Sequence, residues 1–262
     1  MDGLLTNAPW LLAVILVVGS CAISVGLNAV LRRVIKGPGQ EHNTVLDILL
    51  SIGSIFCAIV IALAVFVVWD HMTSVRQAEA DQGATLIVLY HDAEVLPQPA
   101  RKEVESSIRD YTTSVIEDEF PTLARGGSSD RTEHSLSRMN NVVHEYLAST
   151  SAPDQVSAVA RSQYTLVQAG GDSMPALMWV FLIGACLLLL TMAAPLFMEN
   201  ARYHGVGSLM LGFALGAALF LIVVADHPFS GPLRVSPEDL SSNLHTYAVI
   251  DGGGGGASAN AS

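Results

Sequence analysis

The chain has 262 residues, 51% of them hydrophobic and only 14% charged, with a mean hydropathy of +0.45. A soluble domain carries about 25% charged residues and a disordered one has few apolar residues, so neither class fits. The net charge of −11, from 24 acids against 13 bases, argues against a nucleic-acid binder. In chain order, four stretches lack Asp, Glu, Lys and Arg altogether: Trp10 to Leu31, Ile48 to Trp69, Pro175 to Met198, and Gly205 to Ala225. Each is 21 to 24 residues long. A helix of that length reaches roughly 30 Å or slightly more, which matches a bilayer's hydrocarbon core. Four buried core helices of this kind would leave no amphipathic helices to cover them. The composition therefore predicts four transmembrane helices.

The first stretch reads as an uncleaved span. No base precedes Trp10, its apolar run is longer than a signal peptide needs, and Arg32, Arg33 and Lys36 follow it. Short loops set the orientation. Loop 32–47 holds those three bases, and loop 199–204 holds Arg202. The positive-inside rule then assigns both loops to the cytoplasm and both termini to the outside. Segment 70–174, with 16 acids and 8 bases, falls outside as well. Cys21, Cys57 and Cys186 all lie within spans and read as small packing residues, so they do not report the redox compartment.

Segment 70–174 reads as a helical extramembrane domain. Met72 to Leu96 continues the second span outwards, with Gly83 as its one breaker. Pro97 and Pro99 open the next helix and Pro121 ends it. Its apolar face is Val104, Ile108, Tyr111 and Val115. Gly126, Gly127, Ser128 and Ser129 form a loop. Leu136, Met139, Val143 and Leu147 then make a second face, and Val156, Val159, Gln163 and Leu166 a third. Ser151 caps that last helix. The predicted class is all-α: two membrane hairpins, 1–69 and 175–225, with the helical domain inserted between them. Residues 226–250 form a rigid membrane-surface segment with a short helix capped by Ser236, and 251–262 a flexible, glycine-rich tail.

Chemistry is sparse. No phosphate loop, His-x-x-x-His, Gly-x-Ser-x-Gly or Cys-x-x-Cys is present. No cofactor is expected, and no enzyme activity. Glu117, Asp118 and Glu119 form the densest acidic run, at a predicted helix C-terminus where the macrodipole disfavours anions. They are a weak candidate for a divalent metal, against the plainer reading of a solvated helix end. His91, His134 and His144 read as surface residues, and His227 with Ser230 lacks a third catalytic partner.

The spans hold no ionisable residue at their centres, which weighs against a proton-coupled pump. They offer small and polar residues instead. Asp47, Ser51, Ser54 and Ala58 share one face of the second span, and Ile61 and Val65 continue it. A polar mouth leading to an apolar ring is the pattern of a pore with a hydrophobic gate. The same face also suits a helix-packing seam. Ser208, Gly212 and Gly216 form a small-residue stripe for close packing within or between subunits, with Gly19 and Gly26 permitting similar contact. Pro195 kinks or ends the third span, and Asn28 is an interhelical hydrogen-bonder.

The run Asp226-His227-Pro228-Phe229-Ser230-Gly231, followed by Val235-Ser236-Pro237, resembles the C-terminal signature of a bacterial membrane family labelled bestrophin-like. Leu96-Pro97, Pro99, Arg101, Tyr111 and Glu119-Phe120-Pro121 fit the same pattern, so the resemblance covers nearly the whole chain. It implies a pentameric chloride-type channel in the bacterial plasma membrane. True bestrophins also place a helical domain between their second and third membrane helices. The expected partners are the lipid bilayer, further copies of the chain and small ions. Two functional readings stand: an oligomeric ion channel with helix 48–69 lining its pathway, or a non-conducting sensor or scaffold whose helical domain binds a partner.

Overall fold

A computed structural model describes residues 8–34, 40–171, 174–194 and 201–257, with side chains described for all of these except 32–34, 40–43, 201–204 and 253–257. Among the described residues there are helices and turns but no strand. In chain order the helices are α1 (Pro9–Val34), α2 (Gln40–Asp92), α3 (Ala100–Ser114), α4 (Phe120–Leu123), α5 (Asp130–Leu147), α6 (Ala152–Gly171), α7 (Ala176–Ala193), α8 (Ala201–Ala225) and α9 (Glu238–Ala257). Among the described residues four helical stretches are long and apolar enough to cross a membrane: Pro9–Leu31, Thr44–Val95, Ala176–Ala193 and Gly205–Ala225. The expected bend at Pro195 and the bases Arg32, Arg33, Lys36 and Arg202 lie outside the described side chains.

The chain divides into two compact units, 1–72 with 173–233, and 73–172 with 234–262. The first is built from α1, the apolar part of α2, α7 and α8. Cys57, Ala64 and Val68 on α2 pack with Leu182, Ala185, Cys186, Leu189 and Leu190 on α7, and with Leu215, Ile222 and Ala225 on α8. Leu12 on α1 meets Val223 and Val224. Many large apolar side chains of these helices remain uncovered, among them Ile52, Ile55, Phe66, Val180 and Phe213. Water would make that arrangement costly. Lipid makes it ordinary, because hydrocarbon tails are as apolar as the side chains.

The second unit is an amphipathic helical bundle. The three faces read from periodicity turn inward: Val104, Ile108, Tyr111 and Val115 are buried, as are Met139, Val143 and Leu147, and Val156, Val159, Gln163 and Leu166. Leu136 is half-buried. Val75, Leu86 and Leu89 of α2 join this core, and Val88 faces out. The Ser129 hydroxyl caps α5 by accepting the Thr132 N–H.

Two local expectations are corrected. Pro121 does not end the helix. α3 runs into a π-helical turn, Val115–Glu119, and then into the single turn α4, where Pro121 sits at the start. Proline is tolerated in a first turn because that N–H has no intrahelical partner there. The helix after Ser236 is also not short. It runs from Glu238 to Ala257 and packs into the second unit through the buried Leu240, Asn243 and Tyr247. Tyr247 stacks on Tyr90 with ring centroids 4.2 Å apart. Asp251, expected to start a flexible tail, accepts a 2.6 Å bond from Arg109 and a 2.7 Å bond from the Tyr90 hydroxyl. Burial pushes the Asp251 carboxyl up, but these two partners outweigh it and hold it below its usual range.

Candidate functional site

The outward face of α2 carries the residues singled out as pore-lining. Asp47, Ser51, Ser54 and Ala58 are exposed along one side of the helix. The rest of the first unit packs on the adjacent side of the helix, through Cys57, Ala64 and Val68. Ile61 and Val65 are half-buried where the face turns towards that core. The serine hydroxyls need no second helix to be satisfied: Ser51 donates to the Asp47 carbonyl at 2.7 Å and Ser54 to the Ser51 carbonyl at 2.8 Å.

The stripe on α8 lies against α1. The Ser208 carbonyl accepts from Ser24 and its hydroxyl from Asn28, both at 2.8 Å. A Cβ on Gly212 would stand 2.7 Å from the Cys21 Cα, and one on Gly216 would stand 2.6 Å from the Val17 Cα. The two backbones touch, as small residues at four-residue spacing allow. Gly19 and Gly26 do not share this role, since a Cβ on either meets nothing within 4 Å.

The segment after α8 is held by Asp226, whose carboxylate accepts the Met174 N–H at 2.7 Å and so ties the start of α7 to the end of α8. Phe229 and Ser230 are buried and Gly231 takes a positive φ of 84°. That left-handed backbone favours glycine.

The acidic run splits. Glu117 and Asp118 face outward towards Arg131, at 3.8 and 2.6 Å. Glu119 turns inward, is 1% exposed, and accepts the Ser129 N–H at 3.0 Å through Oε2. Burial raises its pKa; the Ser129 N–H, the Thr132 hydroxyl and Gln163 oppose the shift without cancelling it. Among the described residues no group of three His, Cys, Asp or Glu side chains could hold a metal ion. His91, His134 and His144 are exposed: His91 lies 3.4 Å from Glu94, and His144 contacts the Asn140 carbonyl of its own helix.

A buried polar network that matches no sequence motif lies in the second unit. Gln82 donates to the Tyr111 hydroxyl at 2.8 Å and to Gln163 at 3.1 Å, and Tyr111 also donates to Gln163 at 3.2 Å. Its signal was in the pattern. Gln163 stands in an otherwise apolar stripe, and a polar residue on a buried face requires partners.

Three comparisons bear on identity. No curated protein matches the sequence. A crystal structure of a point mutant of a bacterial bestrophin homologue from Klebsiella pneumoniae matches with a TM-score of 0.57 at 10% identity, covering 90% of this chain and 99% of that one. That likeness is one of fold. A family model, the Bestrophin-like domain, matches residues 18–240. That match runs from within α1 to the start of α9 and takes in the helical insert and the Pro-Phe-Ser-Gly turn, so the chain belongs to the bestrophin-like family of membrane proteins.

Proposed function

We propose that the chain is one subunit of a homo-oligomeric ion channel in the bacterial plasma membrane, with α2 of each copy lining a central pathway. One observation carries this reading: Asp47, Ser51 and Ser54 form a polar face on a membrane helix that no other helix of the first unit covers. Copies arranged around an axis would give that face water instead of lipid. Ser51 and Ser54 then wet the inner mouth, and Ile61 and Val65 form the apolar constriction that closes by excluding water. Both termini and the helical domain lie outside the cell. The acidic surface of that domain raises the local concentration of cations at the entrance.

Flux from liposomes tests the pathway. Purified protein should pass small ions, and Val65→Ser should raise the flux several-fold by wetting the constriction. Absence of flux from the wild type, with Val65→Ser equally silent, would remove the pore and leave a non-conducting scaffold or sensor.

A further inference from the structure

A cavity of about 470 Å³ opens on the second unit beside α3, where Asp251 of α9 reaches Arg109. No aliphatic side chain lines it, so it suits a polar guest. Its wall already holds one carboxylate, that of Asp251, through Arg109 and the Tyr90 hydroxyl. Each acid at the cavity has a basic partner: Asp251 has Arg109 at 2.6 Å, Glu105 has the Nε of Arg101 at 2.6 Å, and Asp110 has Arg138 at 3.4 Å. The bases keep donors to spare. Nη1 and Nη2 of Arg101 make no hydrogen bond among the described residues and stay open to solvent. Lys102 is exposed and has no ion pair among the described residues. Segment 70–174 has 16 acids against 8 bases. At this cavity the balance reverses, because Arg101, Lys102, Arg109 and Arg138 meet only Glu105, Asp110 and Asp251.

We propose that this cavity binds a small hydroxylated carboxylate, an anion of the sugar-acid type, held by Arg101 and Lys102. The guanidinium of Arg101, anchored at Nε by Glu105, offers the carboxylate two N–H donors in a planar fork. Lys102 supplies the charge that no acid of the cavity cancels, so one monoanion neutralises the site. The hydroxyl groups of the guest exchange hydrogen bonds with the Gln98 amide and with the carboxylates of Glu105 and Asp110, which line the same space. A fatty acid of equal length fits less well. Its chain would strip water from these polar groups and give them no hydrogen bond in return.

Calorimetric titration of the full-length protein in detergent, at 150 mM sodium chloride, tests the site with sodium gluconate. The controls are D-glucitol, which lacks the carboxylate, and sodium hexanoate, which lacks the hydroxyls. Gluconate should bind saturably, and each control about tenfold more weakly or not at all. Arg101→Gln removes the fork and should weaken gluconate about tenfold, the effect of losing a hydrogen bond to a charged group. Lys102→Gln should weaken it to a similar degree. It alters an exposed side chain without an ion pair, and so decides the matter if Arg101→Gln does not fold. The proposal is overturned if the wild type shows no saturable gluconate binding, if glucitol or hexanoate binds as tightly as gluconate, or if either folded variant binds gluconate as tightly as the wild type.

Discussion

Burial at single carboxylates gives the second unit a pH dependence of known sign. Glu79 is 5% exposed, and its pKa is raised to about 7, first by burial and then by the neighbouring charge of Asp239. The backbone N–H groups of Leu240 and Asp239, at the start of α9, favour the anion but do not offset burial. The folded chain therefore holds this proton more tightly than the unfolded chain does. The resulting stability is full below about pH 4.5 and is lost as pH rises through about 7. Glu119 shifts in the same direction. Asp251 has the opposite sign, and its smaller contribution is lost as pH falls below the ordinary aspartate range. Glu79→Gln should flatten the decline in thermal stability between pH 5 and pH 8. At about 1.4 kcal/mol per pKa unit, the ceiling on the gain at pH 8 is roughly 3 kcal/mol. A variant that loses stability at pH 8 would contradict this reading. None of these shifts was legible in the sequence. Glu79, Glu117, Asp118 and Glu119 are equal letters until the helix phase around the π-turn sends Glu119 inward and leaves its neighbours on Arg131.

Between α1 and α8, backbone meets backbone at Gly212 and Gly216. Gly212→Leu should separate the pair, since even its Cβ would overlap the Cys21 Cα. Overpacking of this kind costs about 1–3 kcal/mol, and more where backbone must move. A fall in melting temperature in detergent is the readout. Gly19→Ala on the same α1 should change little, because its Cβ meets open space. The stripe on α8 was visible as a repeat of small residues, whereas its partner on α1 was not. Val17, Ser20 and Cys21 face it without any glycine of their own. The amphipathic faces of α3, α5 and α6 were readable because a helix bundle in water must sort its residues by period. The start of α9 after Ser236 was readable but its length was not, because its buried positions are widely spaced: Leu240, Asn243, which donates to the Gly83 carbonyl at 2.7 Å, and Tyr247. The glycines after Asp251 further hid its length.

For the molecule as a whole, the absence of charge over four stretches was the strongest signal, and it located each membrane-length helix among the described residues. The orientation rests on bases in short loops, and labelling tests it. A cysteine introduced at Ser128, which is exposed in the second unit, should react with an impermeant maleimide on intact cells. Reaction only after the cells are opened would invert the topology. The seam between α1 and α8 also constrains how the chain is made. Asn28 and Ser208, which bond each other inside it, are 180 residues apart. At about 5–20 residues per second, translation takes roughly ten to forty seconds to cover that distance. The first helix spends that interval in lipid with its amide unmatched, until the last helix is inserted beside it. Any ribosomal pause before Ser208 lengthens that interval.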